Sequence, residues 1–148
     1  MEEPLSTTLT IPADVARDVR RGLFCLLGSA AEWTVHHCAQ PRHEYHPDWF
    51  EGPRDLFERA VALLDVVGWD AGRPPVDIDV ELGEHGKTLK EAVDDYLPVR
   101  EDQEREADLT DSWRAEHGKP PKKQEVIRRL GVLREFAALL ELRLEGLA

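Results

Sequence analysis

Over most of the chain, apolar residues recur at three- and four-residue intervals, the period of a helix that buries one face. From Pro12 to about Cys38 the positions Val15, Val19, Leu23, Leu26, Leu27, Ala30, Trp33 and Thr34 form one stripe. A second strip, Phe24, Ala31, Val35 and Cys38, lies about 100° around the same helix. A helix apolar over half its circumference is expected to be buried on two sides, at the centre of a bundle. Gly22 and Gly28 fall inside it; each costs about 1 kcal/mol relative to alanine, which close helix packing would explain.

Further helices follow from the same period. Pro53 opens one that runs to Val67, with Leu56, Phe57, Ala60, Leu63, Leu64 and Val67 on its buried face and Gly68 as its stop. Thr88 suits the cap of another, Leu89 to Leu97, with Glu84 or His85 as earlier starts. Pro98 either kinks that helix or begins a fourth from Val99 to about Glu116, whose buried face, Leu109 and Trp113, is thin. Gln124 to Leu144 is the clearest helix, with Val126, Ile127, Leu130, Leu133, Ala137, Leu140 and Leu144 on one stripe and Phe136 beside it.

Two runs change the period to two. Leu5 to Ile11 and Val76 to Leu82 alternate apolar with polar residues, and backbone groups in a strand need a partner, so each run is the other's candidate mate. The expected fold is therefore mainly α: a four- to five-helix bundle around a long central N-terminal helix, with a minor two-stranded β-sheet. At 148 residues the default is a single helical domain, 1–148.

Composition narrows the setting. No stretch free of Asp, Glu, Lys and Arg is longer than ten residues, the length of Gly22 to Ala31, against the roughly 18 or more that a bilayer crossing needs. No secretory apolar region is visible and the N-terminus carries Glu2 and Glu3, which points to a cytoplasmic protein. Cys25 and Cys38 on one helix would stand about 20 Å apart, too far for a disulfide, and two unpaired thiols fit a reducing compartment.

The net charge of −11 is unevenly spread: residues 76–118 carry 5 basic and 14 acidic groups, residues 119–148 carry 7 and 4. The two segments are expected to attract each other, within the chain or between subunits. An acidic chain is repelled by phosphate backbones and anionic leaflets, which disfavours nucleic acid and membranes as partners. The basic residues Lys119, Lys122, Lys123, Arg128, Arg129 and Arg134 at the last helix could suggest a DNA reader, but the flanking helices are too long for a compact helix-turn-helix.

Candidate chemistry concentrates in one place. His36, His37, Cys38, His43 and His46 put four of the six histidines within eleven residues, and imidazole and thiolate are the ligands zinc prefers. Consecutive helical residues splay by about 100°, so the best set is His37, His43 and His46 with Cys38 or Asp48. The competing reading makes His37 a hydrogen-bonded core residue and Trp49 a packing anchor. Cys25 has only Arg21 nearby as an activating cation, and Asp77, Asp79 and Glu81 would line a wet strand face. At least two of Trp33, Trp49 and Trp69 are expected in the core. No phosphate loop, nucleophile elbow or paired thiolate motif occurs, so the chain leans away from catalysis. The leading expectation is a non-catalytic protein-interaction or regulatory module. It would self-associate as a homodimer through the first or last helix, or bind another protein, without a cofactor. The alternative is a metal-binding protein or metal-dependent hydrolase using zinc at the His36–His46 cluster.

Overall fold

A computed structural model describes residues 7–41, 46–70, 72 and 74–147. Among them five helices pack together with a small two-stranded antiparallel sheet, the mainly α architecture that the periodicity predicts. Strand β1 (Thr8–Ile11) ends at Pro12, and helix α1 (Ala13–Cys38) follows at once. Pro12 has no side chain to cap the helix; the Ala13 N–H donates instead to Asp77 Oδ1 at 2.8 Å. Asp77 stands just before strand β2 (Ile78–Glu81), which pairs Leu9 with Val80 and Ile11 with Ile78. Leu9, Ile11 and Val80 are buried, while on the wet face Thr10 Oγ1 donates to Asp79 Oδ1 at 2.6 Å. Both strands are shorter than the alternating runs: Val76 lies outside β2, Leu82 already opens the next helix, and Leu5 is outside the described residues.

A 3₁₀ turn, Pro47–Phe50, leads straight into α2 (Glu51–Val67), which therefore starts two residues before Pro53. Gly68, at φ 91°, ends it. The buried Arg20 of α1 donates from Nε to the Gly68 carbonyl at 2.7 Å and from Nη2 to that of Val67 at 3.4 Å. A guanidinium there meets both the orphan carbonyls and the negative end of the helix dipole.

Helix α3 (Leu82–Arg105) starts at the Glu81 cap, whose carboxylate accepts from the Gly83 N–H at 3.3 Å, well before Thr88. Thr88 is buried and accepts from Arg59 Nη1 at 3.0 Å instead of capping. Of the two readings of Pro98, the start of a new helix fails: α3 runs through the proline to Arg105. Pro98 faces solvent, while Val93, Tyr96 and Arg100 around it are buried and hold the helix through the proline. The break comes at Glu106, followed by α4 (Ala107–Glu116) and α5 (Lys123–Leu147).

Helices α1 and α3 form the middle of the packing, with α2 chiefly on α1 and α5 chiefly on α3. At Gly22 a Cβ would collide with the Ala92 carbonyl, so the two central helices touch backbone to backbone. Gly28, by contrast, has open space before it. Leu23, Leu63, Leu64, Leu89, Leu133 and Leu140 belong to the one core cluster these contacts enclose. Inside the packing, Arg100 makes a two-pronged ion pair with Asp18, Nη2 to Oδ1 at 2.5 Å and Nε to Oδ2 at 3.2 Å, with both side chains almost fully buried. The acidic and basic segments do meet within the chain: Lys123 pairs with Asp108 at 2.7 Å, and Asp111 accepts the backbone N–H groups of Lys122 and Lys123 at 2.7 and 3.3 Å.

Three expectations of burial fail. The second strip of α1 is at the surface, because α2 and α3 cover only one arc of the helix; Phe24, Ala31, Val35 and Cys38 are exposed. Phe57 is on the outer side of α2, and Leu109 and Trp113 of α4 face solvent. Trp33 and Trp69 are each 45% exposed and Trp49 is half-buried, so none of the three is a core residue.

Candidate functional site

The histidine cluster is the first site to build. Helix α1 delivers His36, His37 and Cys38 at its C-terminal end, and the 3₁₀ turn brings His46 and Trp49 back toward it. The His37 ring stacks on Trp49 (centroids 5.2 Å apart, planes 26° apart), with Phe50 edge-on at 5.8 Å and Trp33 at 6.0 Å. His46 meets the same tryptophan at 5.4 Å, while Cys38 is exposed at the helix end. His43, the central member of the proposed ligand set, lies outside the described residues. Among those described, no group of three His, Cys, Asp or Glu side chains is placed to hold a metal ion. His37 is thus a half-buried aromatic member of a ring cluster, and the shared neighbour Trp49 is what connects it to His46.

The other candidates resolve into structural roles. Asp77 caps α1, Asp79 bonds across the sheet and Glu81 caps α3, so each of the three carboxylates on the strand face has a hydrogen-bonding task. Thr7 foremost, with the Gly83 N–H, holds the Glu81 carboxyl below its usual range. Cys25 is exposed, but packing around its sulfur, with Asp95 nearby, pushes the thiol up, which makes it a poorer nucleophile. Trp113 stacks with the His117 ring at 4.0 Å and has Lys119 Nζ 5.1 Å from its ring centroid, a surface arrangement at the α4–α5 turn.

The feature without an internal role is apolar. The exposed strip of α1 and the outer side of α2 wall a groove of about 490 Å³ lined by Ala31, Val35, Phe50, Pro53 and Phe57. Val35 is 67% and Phe57 51% exposed. Phe24, further along the strip, meets Trp69 edge to face at 6.0 Å, so the apolar surface continues beyond the groove. Arg54 at the rim is paired with Glu58 at 3.0 Å, which leaves the edge close to neutral. The doubled periodicity of α1 marks one wall of this groove; the other, Phe57, reads in the sequence as a core position.

The basic residues converge elsewhere, where α1, the end of α3, α4 and the start of α5 meet. Arg17 and Arg21, one turn apart on α1, come beside Arg128 and Arg129 of α5 and the buried Arg100. The sequence shows the α5 side of this junction as a basic cluster, Lys122, Lys123, Arg128 and Arg129, but not its other side; the four-residue spacing of Arg17 and Arg21 is the local signal for that. Neither protein-family models, nor curated proteins, nor solved structures show a match to this chain that would name either surface.

Proposed function

We propose that the chain is a non-catalytic protein-interaction module that self-associates, two copies meeting through the α1–α2 face. The groove lined by Ala31, Val35, Phe50 and Phe57 carries this reading. Aromatic side chains offer about 150 to 250 Å² each. Exposures of 40, 51 and 45% at Phe24, Phe57 and Trp69 therefore leave roughly 270 Å² of aromatic surface, to which Val35 and Ala31 add. A standard interface covers about 800 Å² per partner, a little over half of it apolar, so this face approaches the apolar share of a small dimer contact. A two-fold contact must be self-complementary. Here one surface offers both a hollow and, in Phe57, a half-exposed ring of the kind that fills one. The balanced Arg54–Glu58 rim lets two copies of a chain of charge −11 approach on this side. The buried stripe of α5, the other helix considered for the contact, is covered by α3.

Sedimentation velocity over a wide concentration range tests the reading. The native chain should dimerise, and Val35→Glu or Phe57→Glu should yield a folded monomer with unchanged far-UV circular dichroism. A native chain that stays monomeric up to about 100 μM, or a dimer that survives both substitutions, overturns it.

A further inference from the structure

The cationic junction is a second surface, independent of the apolar groove. Two adjoining depressions open there, of about 290 and 60 Å³, and Arg21, Arg100 and Arg129 line both. In a protein of net charge −11 the acids at this junction would be expected to neutralise the bases, and most are indeed engaged. Asp18 is held by Arg100, Asp111 by the first backbone N–H groups of α5, and Glu125 by Arg128 and Arg129, each at 2.8 Å. Asp14 reaches Arg128 at 3.5 Å. Three cations nevertheless lack a carboxylate within ion-pair distance among the described residues: Arg17, Arg21 and the side chain of Lys122. Arg21 gives one N–H to the neutral Tyr96 hydroxyl at 3.0 Å, which leaves its remaining donors open. The floor is rigid, because Arg100 and Asp18 are locked together out of solvent.

We propose that this junction binds a small phosphate monoester, a phosphorylated sugar or polyol. Its phosphate would sit among Arg17, Arg21 and Arg129, and its hydroxyl-bearing body in the larger depression. Guanidinium forks match the oxygens of a phosphate group, and the unpaired ones supply the charge-assisted donors. The larger depression adds Gln103, Thr110 and Glu106, whose side chains exchange hydrogen bonds with hydroxyl groups. None of its described lining residues is aromatic, so it gives a nucleobase no ring to stack on. Its volume is at the lower end of the roughly 300 to 1,000 Å³ of ligand pockets, which suits a small metabolite. The overall negative charge is screened over about 8 Å at physiological salt, so a ligand already in the junction responds mainly to the cations around it.

Isothermal titration calorimetry on the full chain at physiological salt tests this with ribose 5-phosphate as the probe, against ribose, inorganic phosphate, citrate and AMP. Saturable one-site binding of ribose 5-phosphate and none of ribose is expected. Losing one charged hydrogen-bonding partner should weaken binding roughly tenfold or more, in Arg17→Gln and in Arg21→Gln. Lys87→Gln, exposed on α3 thirteen residues before Arg100 and so about 20 Å from it along the helix, lines neither surface and should bind like the native chain. Arg17 is exposed and makes no ion pair among the described residues, so its variant decides the matter should Arg21→Gln prove unstable in a thermal melt. The proposal falls if ribose 5-phosphate shows no saturable binding up to about 10 mM, or if Lys87→Gln weakens it equally. It falls as well if inorganic phosphate, citrate or AMP binds as tightly as ribose 5-phosphate, since each removes one part of the ligand assignment.

Discussion

Gly22 and Gly28 occupy the same helix six residues apart, and the structure assigns them opposite responses to one methyl group. Helix propensity alone makes glycine to alanine favourable by roughly 0.5 to 1 kcal/mol at either site. At Gly28 nothing stands within 4 Å of the new Cβ, so Gly28→Ala should realise that gain. For a chain of this size it corresponds to a melting temperature higher by about 3 °C. At Gly22 the methyl would run into the Ala92 carbonyl, a backbone atom that cannot rotate aside. Helices α1 and α3 must then separate, loosening a core cluster that holds Leu23 of α1 with Leu89 and Val93 of α3, all fully buried. Overpacking of this kind costs about 1 to 3 kcal/mol, and more where backbone has to move. Gly22→Ala should therefore lose about 2 kcal/mol or more despite the propensity gain, leaving the two variants roughly 3 kcal/mol apart. Urea unfolding followed by circular dichroism measures both. It should be done at one low protomer concentration, because association would itself add apparent stability and Gly28 borders the apolar face. Two variants that shift together, or a Gly22→Ala protein as stable as the native one, would refute backbone contact between the central helices.

Two further outcomes follow from named contacts. Arg128 and Arg129 together hold the Glu125 carboxyl down to about 2, below its ordinary 4.5, so the folded state favours the ionised form. Its stabilising contribution is present above the ordinary value and lost as pH falls from there toward about 2. The urea midpoint of the native chain should drop more steeply across that window than that of Glu125→Gln, and less so in high salt; parallel curves would contradict the assignment. At His37 the ring cluster makes area the requirement, so His37→Phe should melt close to the native chain while His37→Ala loses about 1 kcal/mol. Zinc that raised the melting temperature of the native chain but not of His37→Phe would make ligation, not packing, the role of this residue.

What could be read from the sequence, and what could not, divides along physical lines. Helices α1, α2 and α5 were legible because each has a continuous stripe, and the strands because Leu9, Ile11 and Val80 alternate with polar residues. Pro98 left two readings open because a proline's penalty is local, whereas the burial of Tyr96 and Arg100 that carries the helix past it belongs to the tertiary structure. Thr88 looked like a cap because its side chain suits one; a partner 29 residues away, Arg59, took it into the interior. Phe57 and Trp113 looked like core because apolar character permits burial without requiring it. The site residues divide in the same way. The histidines cluster in sequence and so were visible, while Arg17 and Arg129 are separated by most of the chain and come together only through the packing of α5 on the rest.

The sheet has a consequence for the order of folding. Each strand is only four residues long, yet their pairing closes a loop of about seventy residues that contains both α1 and α2. The length-dependent entropy of such a closure is about 4 kcal/mol, which a handful of strand hydrogen bonds does not recover by itself. A helical hairpin that docks first lowers that cost by bringing Asp77 to the start of α1 and Thr7 to the start of α3, where the strands can fasten like a clasp. A clasp that closes after the rate-limiting step governs how slowly the protein comes apart rather than how quickly it assembles. The small sheet would then act as a brake on unfolding.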